Sequence, residues 1–307
     1  MPEWLYEAGI GEHRAALVGS GQIIEAAIEP EGGLRVGQVA SARLIARDRV
    51  RLDGGEEAQI GGSPGVPEGG RLAVEITREG IAEAGRLKLA RARATDAAAT
   101  PGPDLLARIS ATGVPVRQLR AHEADALEAA GWSEVLEEAS TGEIAFPGGA
   151  LRMTPTPAMT LFDVDGAGPL EPLAVRAAEA VAHAIRRHGI GGSIGVDFPT
   201  LAGKAARQAV AAEIDAQLLP PFERTAVNGF GFLQIVRPRL RASLPELLRS
   251  DPVAAAARAA LRRLEREPGP ARRHRLPAAV LAHLRARPGW LDELARRTGA
   301  APELESD

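Results

Sequence analysis

Three aspartates carry most of the chemistry open to this chain. Asp163 and Asp197 each close a short apolar run, 159–162 and 193–196, and Asp165 follows the first by two residues. Carboxylates are hard oxygen donors. Mg²⁺ is typically held by one or two of them, with waters and substrate phosphate completing its octahedron. These residue types therefore point to metal-assisted phosphate chemistry, with Asp165 as a third oxygen ligand or a hydrogen-bond acceptor beside the ion. The alternative is that all three are ordinary polar residues at strand ends, where turns begin.

The elements that must position them can be read from periodicity. Leu173, Ala177, Ala178, Val181, Ala182 and Ile185 recur at helical spacing between the two apolar runs, and Gly189 follows as a helix stop. The pattern is strand, helix, strand. A crossover helix makes the two strands parallel, which puts both carboxyl ends on one edge of the sheet, where ligands of open α/β sheets bind.

Composition narrows the classes. The chain has 307 residues, no cysteine and a formal net charge of −3. That length predicts two or three domains, and the missing cysteine removes disulfides, zinc–thiolate sites and thiol nucleophiles together. The slightly negative charge does not advertise nucleic-acid binding. Lysine occurs only at Lys88 and Lys204, so positive charge is almost all arginine. No apolar run is long enough to span a bilayer and the first residues do not read as a secretion signal, so a cytoplasmic protein with no membrane partner is expected.

In chain order, residues 4–29 read as two strands joined at Gly19–Gly21, with Glu12, His13 and Arg14 as a solvated turn at the start of the second run. From Gly37 to Ala90, short strands broken by glycine predict a small β-barrel. Arg43, Arg47, Arg49, Arg51, Arg78, Arg86 and Lys88 could give it a basic face, although the segment contains no aromatic residue to stack on a base. Residues 123–139 read as one solvated acidic helix. Helices are also expected at 203–219 and from 251 to the end, where Arg262, Arg263, Arg266, Arg272, Arg273, His274 and Arg275 read as a charged outer face or, less simply, an RNA contact. A third strand is expected from about Phe230 to Val236. Arg237, Arg239 and Arg241 beyond it read equally well as a solvated turn or as phosphate contacts beside the aspartates.

The segments PGGALRMTPTPAMTLFDVDGAG, RAAEAVAHAIRRHGIGGSIGVDF and NGFGFLQIVRPRLRASL resemble, in order and approximate spacing, the catalytic part of the ribonuclease E and ribonuclease G family. GQVASARLIARDRVRLDGG through VEITREGIAEAGRLKLA more loosely resembles that family's inserted RNA-binding barrel, and the tail VLAHLRARPGWLDELARRTGAAPELE the end of its small domain. The resemblance implies an α/β (mixed α+β) protein with an RNase H-like and DNase I-like catalytic core, an inserted small OB-type β-barrel and a short helical C-terminal region. The implied divisions are 1–35 and 93–145 for the RNase H-like part, 36–92 for the barrel, 146–250 for the DNase I-like domain and 251–307 for the tail.

What the resemblance implies functionally is Mg²⁺-dependent cleavage within single-stranded RNA, Mn²⁺ being left open, with 5′-phosphate and 3′-hydroxyl products. The family's metal-binding aspartates fall on Asp163 and Asp197. Its conserved asparagine falls on Asp165, which when ionised only accepts hydrogen bonds. Arg237 and Arg239 would position the RNA backbone, and Arg43, Arg49 and Lys88 would serve the barrel. Three departures stand out: GAGPLEP is shorter than the family's arginine-containing loop, the region between barrel and Val114 is too short for a sensor of the RNA 5′-monophosphate, and the zinc-binding cysteines are missing. A reduced member is expected, without zinc and either monomeric or homodimeric. The rival is a relative that binds RNA without cutting it. A histidine-based nuclease fits poorly because His183 and His188 are five apart on one helix, and GGSIG lacks the lysine of a phosphate-binding loop.

Overall fold

A computed structural model of the chain describes residues 1–62, 65–83, 86–267 and 273–307. The alternating apolar residues near the N-terminus form three strands, not two: β1 (Glu3–Ala8), β2 (Glu12–Gly19) and β3 (Gln22–Pro30). Next come β4 (Val39–Ala46), β5 (Arg49–Leu52), β6 (Glu57–Ile60), β7 (Arg71–Arg78), β8 (Ile81–Glu83), β9 (Arg86–Lys88) and β10 (Ala90–Ala94). Strands β10, β6, β5, β4 and β7 close into a barrel, while β8 and β9 pair only with each other. Every second residue points inward, so Ala42, Leu44, Val50, Leu52, Ala58, Ile60, Val74 and Ile76 fill the barrel.

Beyond the barrel lie α1 (Leu105–Ser110), β11 (Val116–Gln118), α2 (Ala126–Ala129) and α3 (Trp132–Thr141). β11 pairs parallel with β1, giving a four-stranded sheet in the order β11-β1-β2-β3. Residues on both sides of the barrel thus build one sheet, and the barrel is an insertion into it. The single acidic helix expected over 123–139 is broken into α2 and α3 by Gly131, whose φ is +97°, a conformation that costs glycine little and other residues much more.

The third unit contains β12 (Glu143–Phe146), β13 (Gly149–Pro155), β14 (Thr160–Gly166), α4 (Leu170–Arg187), β15 (Gly192–Asp197), α5 (Lys204–Gln217), β16 (Glu223–Arg224) and β17 (Phe232–Arg237). Its six-stranded sheet has the order β12-β13-β14-β15-β17-β16. Because β12 belongs to this sheet, the sheet begins a few residues earlier than the expected boundary at 146. α4 buries Ala174, Ala177, Ala178, Val181, Ala182 and Ile185 in one core with Phe162, Ile194, Val196, Leu233 and Ile235, and Leu173 near its start is buried as well. The alanines on that stripe let the helix lie close to the sheet, and α5 joins the same core through Val210 and Ile214.

The chain ends with α6 (Leu244–Ser250), α7 (Pro252–Arg266), β18 (Arg273–Leu276), α8 (Ala278–Arg285), α9 (Pro288–Thr298) and β19 (Glu303–Ser306). Here two expectations are corrected. Glu12 and Arg14 are not in a solvated turn: both are buried at 2% exposure. Glu12 accepts from Arg258 at 2.8 Å and also pairs with Arg262, and Glu7 takes both Arg14 at 2.6 Å and Arg266 at 2.8 Å. Arg262 and Arg266 therefore pin α7 to the first sheet and do not form an outward basic cluster. Arg263 is exposed, Arg273 pairs with Glu303, and His274 lies 3.4 Å from Glu267. Arg272 lies outside the described residues, as does the side chain of Arg86. Among the described residues no helix is long and apolar enough to cross a membrane.

Candidate active site

β14 and β15 are neighbours and run parallel, with Phe162 opposite Val196 and Asp163 opposite Asp197. Alternation does the rest. Phe162 and Val196 point into the core beneath α4, so Asp163 and Asp197 emerge together on the opposite face, where both are exposed. Adjacent strands lie about 4.8 Å apart, which brings the two carboxylates within reach of one cation. Neither makes a hydrogen bond or ion pair with any described residue.

Asp165 lies on the same face but one pleat further on, about 7 Å along the strand. It is exposed and sits 3.4 Å from Arg152. Arg152 stands opposite Asp163 on β13 and also lies 3.5 Å from Glu143. Among the described residues no group of three or more His, Cys, Asp or Glu side chains is placed to hold a metal ion. The donor set is therefore a pair of carboxylates with Asp165 turned to an arginine. Two carboxylates are enough for Mg²⁺, which keeps several waters, and their lack of other partners leaves them free for it.

The floor around the pair is partly apolar. On β17, Phe232 stands opposite Asp197 and Gln234 opposite Gly195. A Cβ on Gly195 would meet Phe232 Cζ at 2.7 Å, Leu161 Cδ2 at 2.8 Å and Met159 Sδ at 3.0 Å, so glycine is what lets these side chains close over the strand. Gln234 donates from Nε2 to Ser193 Oγ at 3.1 Å. Arg152, Phe232 and Gln234 were missed in the sequence. Each occupies an alternate position of a strand whose face could be assigned only once its neighbours were known.

Arg237 and Arg239 are placed away from the aspartates. β17 runs antiparallel to β15, so Arg237 stands opposite Gly192, the far end of the strand that finishes at Asp197. Five residues of strand separate the two ends, roughly 17 Å. Arg237 is half-buried, and burial pushes its guanidinium pKa down against the opposing charge of Glu25. Arg239 pairs with Glu246, the residue that also caps α6 through Ser243. Arg241 lies 3.1 Å from Glu79, and the Glu79 N–H donates to Leu240 O at 2.9 Å. The segment 238–242 thus ties the barrel to the six-stranded sheet. It runs along a cavity of about 960 Å³ whose charged lining includes Glu25, Arg35, Glu79, Arg108, Arg239 and Arg241.

The barrel's positive charges are largely matched by its own acids. Arg51 pairs with Glu57 at 2.7 Å and Arg49 lies 3.6 Å from the same carboxylate. Arg71 pairs with Asp53, Arg93 with Glu75, and Arg43 donates to Gly69 O. Lys88 is half-buried on β9, opposite Ile81. Exposed pairs of this kind contribute about 0–1 kcal/mol each, so they can open to a competing phosphate at little cost. No protein-family model matches the chain, and no curated protein matches it.

Proposed function

We propose that the chain is a metal-dependent endoribonuclease of the ribonuclease E and ribonuclease G type, cutting single-stranded RNA to 5′-phosphate and 3′-hydroxyl ends. The observation that carries this reading is the register of β14 against β15, which sets Asp163 and Asp197 side by side on an open sheet face, neither of them ion-paired with a described residue. The barrel inserted in the first sheet supports it further. On this reading the six-stranded sheet corresponds to the DNase I-like domain and the first sheet to the RNase H-like part.

Asp163 and Asp197 would hold Mg²⁺ or Mn²⁺, which when bound supplies a Lewis acid for the phosphoryl oxygens and lowers the pKa of a bound water. The rest falls to the chain's own groups. Two uncompensated carboxylates repel a bare phosphodiester, so this face accepts RNA only when they are neutralised. Arg152 offers donors to the backbone beside Asp163. Asp165 pairs with that guanidinium at 3.4 Å and orients it. Gln234, held by Ser193, presents an amide next to Gly195. The barrel would hold RNA to one side of the cut through arginines released from their surface pairs.

The test is cleavage of an end-labelled, AU-rich single-stranded RNA carrying either a 5′-monophosphate or a 5′-hydroxyl. Internal cuts ending in 3′-hydroxyl should require the divalent ion, vanish with chelator and in Asp163→Ala and Asp197→Ala, and be indifferent to the 5′ group. The Arg152–Asp165 contact favours one other reading, a site whose third carboxylate no longer serves the reaction. RNA binding without cleavage would select that inactive, RNA-binding relative.

A further inference from the structure

Among the aromatic side chains, Phe230 alone is exposed, at 83%. The others are buried or half-buried. It stands two residues before Phe232, the residue opposite Asp197.

The turn that carries Phe230 is firmly built. The Asn228 side chain accepts from Phe230 N at 2.9 Å and from Phe232 N at 3.1 Å. Asn228 N donates to Phe232 O at 3.0 Å and Gly231 N to Asn228 O at 3.2 Å. The segment following Asp197 holds the other side: Phe198 N donates to Gly231 O at 3.2 Å and Thr200 Oγ1 to Phe230 O at 3.4 Å. Gly231 has φ +95°, and a Cβ there would collide with Phe198 O. A backbone fixed from two sides thus holds an apolar ring in water, next to the strand end that carries Asp197.

We propose that Phe230 is a stacking platform for the unpaired nucleobase adjoining the phosphodiester at Asp163 and Asp197. This rests on the endoribonuclease reading and adds a specificity residue to it. The chemistry favours a base over other occupants. With a divalent ion neutralising Asp163 and Asp197 for the phosphate beside them, the adjoining base is uncharged and offers a flat π face to the ring. Bases in a duplex are already stacked on each other, so a protruding phenyl ring engages only single strands. Stacking is also tolerant of base identity, so the ring would select unpaired RNA without reading its sequence.

The experiment compares wild type with Phe230→Ala, Phe230→Leu and Phe230→Trp, using a short fluorescein-labelled unstructured oligoribonucleotide and the same strand with single abasic positions. Binding is read by anisotropy in Ca²⁺ and cleavage in Mg²⁺. Phe230→Ala should raise Kd and KM about tenfold or more with kcat little changed. Phe230→Trp should bind like wild type, with Phe230→Leu between them. One abasic position should weaken wild type and leave Phe230→Ala unaffected. Unchanged Kd and KM in Phe230→Ala, with cleavage intact, would overturn the platform and leave the nuclease reading standing. No RNA binding by wild type would overturn both. Loss of a homodimer in Phe230→Ala, with RNA affinity unchanged, would assign the ring to a subunit contact and overturn the proposal.

Discussion

Asp163 and Asp197 stand side by side on neighbouring parallel strands, both exposed and neither paired with a cation among the described residues. Like charges directly opposite one another on a sheet are destabilising by roughly 0.2–1 kcal/mol. In chelator, Asp197→Asn should therefore raise the melting temperature, by about 1–3 °C for a chain of this size. Wild type should gain stability with Mg²⁺, about 2.7 kcal/mol when the ion is at a hundred times its Kd. The variant should lose that gain. Thermal melts of both proteins with and without Mg²⁺ decide it, and an equal Mg²⁺ response in the two would place the ion elsewhere.

Glu12 supports the docking of the C-terminal helices. It is 2% exposed and receives both Arg258 and Arg262, which are themselves buried. Burial pushes the Arg262 guanidinium down, with Glu12 opposing. Glu12→Gln leaves two buried cations without their anion, a loss of about 3–5 kcal/mol. Replacing the trio together by apolar residues of similar volume, as in Glu12→Leu with Arg258→Met and Arg262→Met, should recover most of it. Urea unfolding measures both. A loss below about 1 kcal/mol for Glu12→Gln would mean that the pairs behave as surface pairs.

These two sites show what could be read from the sequence. The strand–helix–strand unit around Asp163 and Asp197 was legible because local periodicity sets it: apolar runs, the stripe from Leu173 to Ile185, and Gly189 as the stop, with α4 closing at His188. The barrel was legible from its glycine-broken strands. The Glu12 network was not, because its partners lie about 250 residues away in sequence and an arginine on a helix carries no local sign of burial. The strand direction of β17 was equally hidden. Between α5 and β17 the chain turns through Pro220, Pro221 and the short edge strand β16, and nothing in that spacing says whether the next strand runs parallel or antiparallel. Arg237 and Arg239 were assigned to the wrong end of the sheet for that reason.

His188 predicts a pH dependence. Its side chain is fully buried, with Nε2 3.1 Å from Glu138 Oε2 and Nδ1 without a hydrogen-bond partner. Burial pushes the imidazole below its ordinary value of 6.5, and Glu138 only partly opposes this. Burial would raise Glu138, but hydrogen bonding to His188 and the charge of Arg187 hold it below its ordinary 4.5. Both folded-state values are thus depressed. The unfolded chain takes up a proton at His188 first, so stability is complete above about pH 6.5 and falls as pH drops through the folded value. The Glu138 contribution is lost only at more acid pH. In urea titrations from about pH 7.5 to about pH 5, His188→Gln should be less stable at the top of the range and show a shallower decline. A slope equal to that of wild type would mean that His188 is not the titrating group.

Glu57 offers a test of the barrel that does not depend on catalysis. Its carboxylate takes Arg51 at 2.7 Å and lies 3.6 Å from Arg49, so it competes directly with any phosphate for both guanidinium groups. Glu57→Gln removes that competitor. If single-stranded RNA lies along this face, affinity at low salt should rise several-fold, and the slope of log Kobs against log salt should steepen by about 0.7 for each phosphate gained. Glu68→Gln is the control: Glu68 is exposed on the same barrel and pairs with no described residue, so it changes net charge alone. A steeper slope in Glu57→Gln but not in Glu68→Gln places RNA phosphates at Arg49 and Arg51. Equal small effects from both would reduce the barrel's contribution to its overall charge, and leave the six-stranded sheet to bind RNA by itself.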